Sequence, residues 1–452
     1  MVGTKINRKE SAAIFNSLSS GVVPRIGLRH IAVGREKEIK AFLQDMETIQ
    51  DGGAAFRLIC GEYGSGKSFM LQLIRNNAME QNFVVIDADL TPERRLSGTN
   101  NQGLATYREL MQKISTKLRP DKGALEAILQ KWIATIKSKI ARDNSLSPDD
   151  PALTDAVSAK ISETLHDLTE MVYGFEFAKV VECYWIGSRT ENPELMQSAL
   201  CWLRGEFNTK SDAKRQLPVD SIISDNSWYD FLKLFALFVK RVGYKGLIVF
   251  LDEGINLYKI SNKVSRENNY EKLLSIFNDT MQGNASYLGF YISGTPQFVY
   301  DGKRGLFSYD ALRSRLADHK FQIEGFVDYN APVIKLAQLT KEEMYLLLER
   351  LCEVHGAYFN YQCKIGKEEL QLFLDRAFKR LGAETQITPR EITRDFLGLL
   401  NILQQNPDKT FDSVIKLVGK DVSDKVSESE EKDNNASSND DIEKLFSAIE
   451  IS

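Results

Sequence analysis

The chain has 452 residues, of which 43% are hydrophobic and 27% charged; this predicts two or three globular units and excludes a chain disordered throughout. No apolar run approaches 18 residues, the N-terminus lacks an apolar signal core, and the five cysteines and four histidines are scattered, so we expect a cytoplasmic protein without a membrane span, disulfides or a zinc site. The net charge of −4 argues neither for nor against nucleic acid, because residues 421–452 alone contribute −7.

Helices and strands alternate in the first hundred residues. A helix is predicted over residues 11–20, and a second one ends near Asp51. Strands are predicted over residues 56–60 and 83–90, with a glycine loop and a helix from Lys67 to about Glu80 between them. This order is typical of a parallel sheet covered by helices.

A long helical stretch follows before strands return. The helices are predicted over residues 107–118, 124–142, 152–177 and 228–242. The later strands are predicted over residues 247–251, 287–292 and 333–336, and the later helices over 341–355, 367–381 and 389–404. We therefore expect an α/β fold whose domains are a core in two parts (1–100 and 241–337), a helical insertion (101–240), an all-helical lid (338–420) and an acidic tail (421–452).

The acidic tail is rich in Ser, Asn, Asp and Glu, a composition that predicts disorder. Its last part, residues 441–450, places four apolar side chains on one helical face: Ile442, Leu445, Phe446 and Ile449. This pattern is either fortuitous or a short helix that docks on a partner.

One motif between the first predicted strand and its helix binds phosphate in other proteins. The sequence Gly61-Glu62-Tyr63-Gly64-Ser65-Gly66-Lys67-Ser68 matches G-x-x-x-x-G-K-[ST] at every fixed position. Its glycines let backbone N–H groups converge on phosphate oxygens, and the helix N-terminus adds its dipole. We expect Lys67 to contact the β- and γ-phosphates and Ser68 to bind Mg²⁺, with Phe69 beside the nucleotide. ATP and Mg²⁺ are the predicted cofactors.

The strand over residues 247–251 runs into Asp252-Glu253, as in a Walker B motif. Asp252 would hold the metal, directly or through water, and Glu253 would orient and polarise the attacking water. The alternative is a core strand that merely ends in acidic residues. Together with the phosphate loop, the pair favours ATP hydrolysis.

Two further segments offer catalytic candidates. The strand over residues 287–292 ends in Ser293-Gly294-Thr295, and either Ser293 or Thr295 could face the γ-phosphate and the lytic water; the alternative is a polar turn before Pro296. On the helix after Asp310, Arg313 or Arg315 could be a finger that reaches the nucleotide of a neighbouring subunit. The alternative is an exposed basic helix face. The finger interpretation predicts a homo-oligomer.

In the lid, Thr388 and Pro389 predict the start of a helix. Arg390, in its first turn, could reach back to the nucleotide. Arg394, one turn later on the same face, is the second choice.

In this order, the motifs are similar to those of initiator-type AAA+ ATPases. More narrowly, the chain resembles the ATP-binding proteins of BREX phage-defence loci, the BrxD-like family, over most of its length up to about residue 420. The resemblance rests on Gly21-Val-Val-Pro24, His30-Ile-Ala-Val-Gly-Arg-Glu36, the phosphate loop, Asp252-Glu253 and Ala311-Leu-Arg-Ser-Arg-Leu316. It implies an adenine pocket lined by Val22, Val23 and Val33. It also implies a DNA-related role beside a large DNA helicase.

The predicted insertion is basic where it begins. Residues 104–142 carry nine Lys or Arg and three acidic residues, and seven apolar side chains form one helical stripe from Leu125 to Ile140. Lys131, Lys137 and Lys139 lie largely off this stripe, where they could meet DNA phosphates. The alternatives are an ordinary solvated face and a surface that docks a partner protein.

Three functions are compatible with these motifs. The first is an ATPase that remodels or loads something on DNA within a multi-protein defence system. The second is an ATP-binding adaptor that oligomerises, docks partner proteins and hydrolyses ATP slowly or not at all. The third, a small-molecule kinase, is disfavoured by the separate helical domain and the arginine pair.

Overall fold

The structure, a computed structural model, describes residues 6–147, 150–318, 327–380 and 388–415. The predicted acidic tail and its terminal helix over residues 441–450 lie outside these ranges. Among the described residues, no helix is both long and apolar enough to cross a membrane.

Five strands form one parallel sheet. They are β1 (Ala54–Cys60), β2 (Val84–Asp89), β3 (Leu247–Asp252), β4 (Leu288–Gly294) and β5 (Val333–Lys335). Their order across the sheet is β2-β3-β4-β1-β5, and every neighbouring pair is parallel. The two strands that follow the insertion therefore lie between β1 and β2. This confirms the predicted α/β fold.

Helices cover both faces of this sheet. Neighbouring residues of a strand point to opposite faces, and β1 uses both. Phe56 packs against Phe277 of α12 (Lys263–Gln282), with ring centroids 5.3 Å apart. Arg57 bonds Asp45 of α2 (Glu36–Gln50), with Nε and Oδ2 2.8 Å apart. The helix after the phosphate loop, α3 (Lys67–Glu80), packs on β2, β3 and β4. The sheet is therefore covered by helices on both faces, as predicted.

Between β2 and β3 the chain is helical, as predicted. Its helices are α4 (Gln102–Gln112), α5 (Leu125–Asp143), α6 (Pro151–His166), α7 (Gly174–Arg189), α8 (Pro193–Leu203), α9 (Lys210–Gln216) and α10 (Trp228–Arg241). Their apolar side chains join those of the sheet in one hydrophobic core. The short helices α8 and α9 were not among the predicted elements.

Two helix predictions in this part were wrong. The single helix predicted over residues 152–177 is broken between α6 and α7, where Tyr173 has a left-handed backbone with φ 63°. A side chain at Gly174 would place its Cβ 1.7 Å from the carbonyl oxygen of Leu168, so only glycine fits this turn. The helix predicted over residues 107–118 ends at Gln112, because Ser115 pairs through its backbone with Val85 of the edge strand β2.

The remaining helices of the sheet unit are short, and they include α11 (Ile255–Tyr258), α13 (Pro296–Tyr300) and α14 (Asp310–Leu316). This compact unit spans Val23–Glu343.

A second compact unit joins the described residues of the ranges 1–22 and 344–452. Its helices are α1 (Arg8–Ser19), α15 (Lys341–Phe359), α16 (Lys367–Arg380) and α17 (Pro389–Gln405). Phe15 of α1 stacks on Tyr358, with centroids 4.8 Å apart, and α1 also packs on α17. Thr388 caps α17 in a reciprocal arrangement with Glu391, which agrees with the predicted helix start. The first helix of the chain is thus part of a helical unit built from both ends.

Candidate nucleotide-binding site

The phosphate loop, residues 61–68, joins β1 to α3. Gly64 and Gly66 have φ angles of 82° and 90°, which side chains other than glycine rarely adopt. A Cβ at Gly61 would lie 2.3 Å from the Ser65 hydroxyl, so this glycine permits the tight turn. The Ser65 hydroxyl is buried and has no hydrogen-bond partner in the described part of the chain. These features form the cradle that the motif predicts for phosphate oxygens.

The ammonium of Lys67 folds over this loop. It donates to the carbonyl oxygens of Gly61 and Glu62, 2.9 Å from each. Burial lowers the pKa of Lys67, whereas the charges of Asp252 and Glu253 raise it. A cation is therefore present where the motif requires one, and the carboxylates of Asp252 and Glu253 are close enough to affect it.

Asp252, the last residue of β3, connects the loop to its neighbouring strand. The Ser68 hydroxyl donates to Oδ2 of Asp252 at 2.7 Å, and the Ser293 hydroxyl donates to Oδ1 of the same carboxylate. This follows from the strand order, because β4 lies between β3 and β1. Mg²⁺ prefers oxygen ligands and usually takes one or two carboxylates together with phosphates and water. The hydroxyl of Ser68 and the carboxylate of Asp252 fit such an ion.

Glu253 follows in a strained conformation. Its φ of 60° lies in the left-handed region, which costs a non-glycine residue about 1–2 kcal/mol. Two hydrogen bonds hold the turn: the Glu253 N–H donates to Asp252 Oδ1 at 2.8 Å, and the Gly254 N–H donates to the Ser293 carbonyl at 2.9 Å. The Glu253 residue is exposed. Strain of this kind is typical of functional sites.

The two polar candidates after β4 have different surroundings. Ser293 is buried and bonds Asp252. Thr295 caps α13, where its hydroxyl accepts from the Phe298 N–H at 3.3 Å. The structure therefore brings Ser293, and not Thr295, to the Asp252 carboxylate.

Both candidate finger arginines are exposed on α14. Arg313 pairs with Asp310 at 3.0 Å, and the Arg315 Nε donates to Asn278 of α12 at 2.9 Å. Their partners lie on α14 and α12 of the same chain.

The residues predicted to line the adenine pocket are Val22, Val23 and Val33. Val23 lines a cavity of about 180 Å³ together with Ser68, Gln72 and Asp252. Val33 is half-buried on the segment that leads into α2.

Val22 and Arg390 belong to the helical unit, in which the Arg390 stem lies beside Gly21. Arg394 is exposed there, 3.6 Å from Asp395. Of the remaining loop positions, Glu62 and Tyr63 are exposed, and Phe69 is half-buried.

Sequence reasoning missed Arg35, a buried anchor of the phosphate loop. Its Nη2 donates to the carbonyl oxygens of Ser65 at 3.1 Å and Ala337 at 2.6 Å, and its Nη1 lies 3.4 Å from Glu38. The residue is 7% exposed. Its place in the Val-Gly-Arg-Glu segment was the available signal, although that pattern does not reveal which groups the guanidinium binds.

The comparison with known proteins identifies an ATP-binding family. The family model described as BREX system ATP-binding protein BrxC/D matches residues 6–418 of the 452. The matched range contains the phosphate loop, Asp252, Glu253 and the two arginines of α14. No curated protein matches the chain. The chain therefore belongs to the BrxC/D family of BREX system ATP-binding proteins.

Proposed function

We propose that this protein is a Mg²⁺-dependent ATPase of the AAA+ type. The observation that carries the proposal is the convergence of Lys67, Ser68, Asp252 and Ser293 at one edge of the sheet, with Ser68 and Ser293 both bonded to the Asp252 carboxylate. The transfer of a phosphoryl group to water requires a phosphate-binding loop, ligands for a metal ion and a polar side chain at the end of a neighbouring strand.

The loop and its cation bind the triphosphate. Backbone N–H groups of residues 61–68 and the start of α3 would face the phosphates, and Lys67 would exchange its two loop carbonyls for phosphate oxygens. Ser68 and Asp252 would hold Mg²⁺, which when bound neutralises charge that develops on the phosphates. Val22, Val23 and Val33 would enclose the adenine, and Arg390 is a further candidate for contacting the nucleotide.

Glu253 is the proposed base for the lytic water. Glu253 directly follows Asp252, the proposed metal ligand. Its backbone is left-handed, and the residue is exposed and able to meet water. Ser293 would help to orient this water through its contact with Asp252. Thr295 is the weaker candidate, because its hydroxyl caps a helix.

Arg313 or Arg315 would act on the nucleotide of a neighbouring copy. Each is exposed on α14, and their partners in this chain are replaceable surface groups. A homo-oligomer follows from this assignment, since an arginine that works in trans needs a second subunit.

We further propose that the ATPase is a DNA-associated motor or loader in the defence system, with a DNA helicase as partner. Support comes from α5, where Lys131, Lys139 and Arg142 are exposed on one face while the apolar stripe is buried. A basic helix face of this kind can contact phosphates without regard to sequence.

The experiment is to measure ATP hydrolysis by the full chain with Mg²⁺ or with a chelator, and with or without duplex or single-stranded DNA. We expect turnover that requires Mg²⁺ and rises with DNA. Mg²⁺-dependent turnover unaffected by either DNA would remove the DNA role. Tight ATP binding without turnover under all conditions would favour the adaptor function instead.

A further inference from the structure

A third oxygen-bearing side chain extends the Walker B site across the sheet. Asp89 ends β2 and is paired in register with Asp252 on β3. Leu251 is paired with Ile292, so that Ser293 follows at the level of Asp252 on β4. Residues paired across neighbouring strands point to the same face of the sheet. Asp89, Asp252 and Ser293 therefore form one row at the carboxyl edge.

Two members of this row, Asp89 and Asp252, border a cavity at the proposed metal ligands. Asp89, Asp252 and Ser68 all line the cavity of about 180 Å³ that Val23 also borders. Ser68 and Asp252 are the two side chains proposed to bind Mg²⁺, and this ion usually keeps several water ligands. The Asp89 carboxylate thus lines the space next to them that water can occupy.

Asp89 differs in its surroundings from the other acid of β2 that lines this cavity. Asp87 pairs with Arg75 at 2.8 Å and lies 3.7 Å from Lys113. The Asp89 carboxylate makes no hydrogen bond or ion pair with any residue that the structure describes, and only its backbone carbonyl accepts from Arg94, at 3.1 Å. Asp87 is therefore explained by its ion pairs, whereas the exposed Asp89 side chain meets the charges of Lys113 and Arg94 only from beyond ion-pair distance.

We propose that Asp89 is a positioning residue for the metal, a role that rests on the proposed ATPase function. Its carboxylate accepts hydrogen bonds from the metal's water ligands and places a second negative charge beside the one on Asp252. Such outer contacts orient the inner ligands, and their removal typically weakens metal binding about 10–100-fold.

The test compares Asp89→Asn with the wild type and with two other variants. Asparagine keeps the size of the side chain and removes its charge. Asp252→Asn removes a proposed direct ligand, and Glu93→Gln removes an exposed charge four residues further along the chain. The measurements are binding of a fluorescent ATP analogue as a function of Mg²⁺ concentration, and free Mn²⁺ by EPR in the presence of nucleotide. Neither depends on turnover.

We expect Asp89→Asn to require about tenfold more Mg²⁺ for half-maximal nucleotide binding, with metal-free nucleotide affinity unchanged. Glu93→Gln should match the wild type, and Asp252→Asn should be affected at least as strongly as Asp89→Asn. Asp89→Ser repeats the test with a smaller uncharged side chain.

Wild-type metal dependence in both Asp89 variants, with Asp252→Asn impaired, would overturn this inference and leave the proposed ATPase intact. Wild-type metal dependence in Asp252→Asn would instead contradict the proposed metal site itself.

Discussion

At the scale of single residues, the site contains a buried charge and a strained backbone conformation, each of which is energetically unfavourable by itself. Arg35 is buried among carbonyl oxygens of the phosphate loop and of the segment after β5, and Glu253 has a left-handed backbone. Both arrangements persist because neighbouring hydrogen bonds hold them. Changing Arg35 should therefore lower stability and nucleotide binding together, whereas changing Glu253 should separate stability from hydrolysis.

Arg35→Met should weaken nucleotide binding by releasing the Ser65 carbonyl, and it should destabilise the sheet unit by about 3 kcal/mol, because Glu38 stays buried without its cation. Nucleotide titration and denaturant unfolding measure the two effects. Lys37→Met, at an exposed neighbouring position, is the control and should change neither. Wild-type affinity in folded Arg35→Met would contradict the anchoring role.

Glu253→Gly should raise the free energy of unfolding by about 1 kcal/mol, because glycine adopts a φ of 60° without strain, while hydrolysis is lost. Glu93→Gly, at an exposed position without a left-handed backbone, should not stabilise the protein. Thermal unfolding of both variants measures these changes in stability. A less stable Glu253→Gly protein would mean that the turn is not strained in solution.

The phosphate loop and the pair Asp252-Glu253 could be proposed from the sequence because each motif occupies consecutive positions next to a strand, and the structure brings Ser68 and Asp252 together. Arg35 and Asp89 were missed for a physical reason. The Arg35 guanidinium bonds a carbonyl 302 positions away, and Asp89 meets Asp252 only through the pairing of β2 with β3. Contacts of this range depend on strand order, which local patterns do not determine.

At the scale of elements, the strands and most long helices were predictable from apolar periodicity, but two helix ends were not. The break before Gly174 follows from a close contact with Leu168, and the end of α4 follows from the pairing of Ser115 with β2. Tertiary contacts overrode a local helical pattern in both cases. The same helical region contains the predicted DNA-contacting helix α5.

The positions of the basic side chains on α5 indicate which of them are proposed to contact DNA. A shallow groove of about 430 Å³ is lined by Lys131, Ala134, Thr135, Ser138, Lys139 and Arg142. Lys137 is exposed but is not among the residues that line it. The groove therefore adds Arg142 to the side chains proposed to contact DNA, and it does not include Lys137.

We expect Lys139→Glu to weaken duplex or single-stranded DNA binding and to reduce the log–log salt slope by about one unit. Lys137→Glu makes the same charge change on the same helix and should have a smaller effect that disappears at high salt. Fluorescence titrations at two salt concentrations compare them, with DNA-free ATPase activity as a check on folding. Equal affinity of wild type and Lys139→Glu at both salts would exclude α5 as a DNA contact.

At the scale of the whole molecule, the chain combines a sheet unit that contains the phosphate loop and a helical unit made from its two ends. The family match extends across both. The proposed arginine finger would make ATP hydrolysis depend on a second subunit.

Trans action of the finger can be measured by mixing variants. Neither Arg313→Ala nor Glu253→Gln should hydrolyse ATP alone, whereas a mixture should recover part of the activity at interfaces that combine an intact arginine with an intact glutamate. The same mixture with Arg315→Ala identifies which arginine acts. Activity independent of protein concentration, with no oligomer by light scattering, would contradict the trans arrangement.

The most direct test of the central claim, ATP hydrolysis at the phosphate loop with Glu253 as base, compares Lys67→Ala with Glu253→Gln. Nucleotide binding and single-turnover hydrolysis are measured for each variant in Mg²⁺. We predict that Lys67→Ala binds ATP weakly, because the phosphate charge is lost, and that Glu253→Gln binds ATP normally but hydrolyses it orders of magnitude more slowly. Hydrolysis at the wild-type rate by Glu253→Gln would contradict the account.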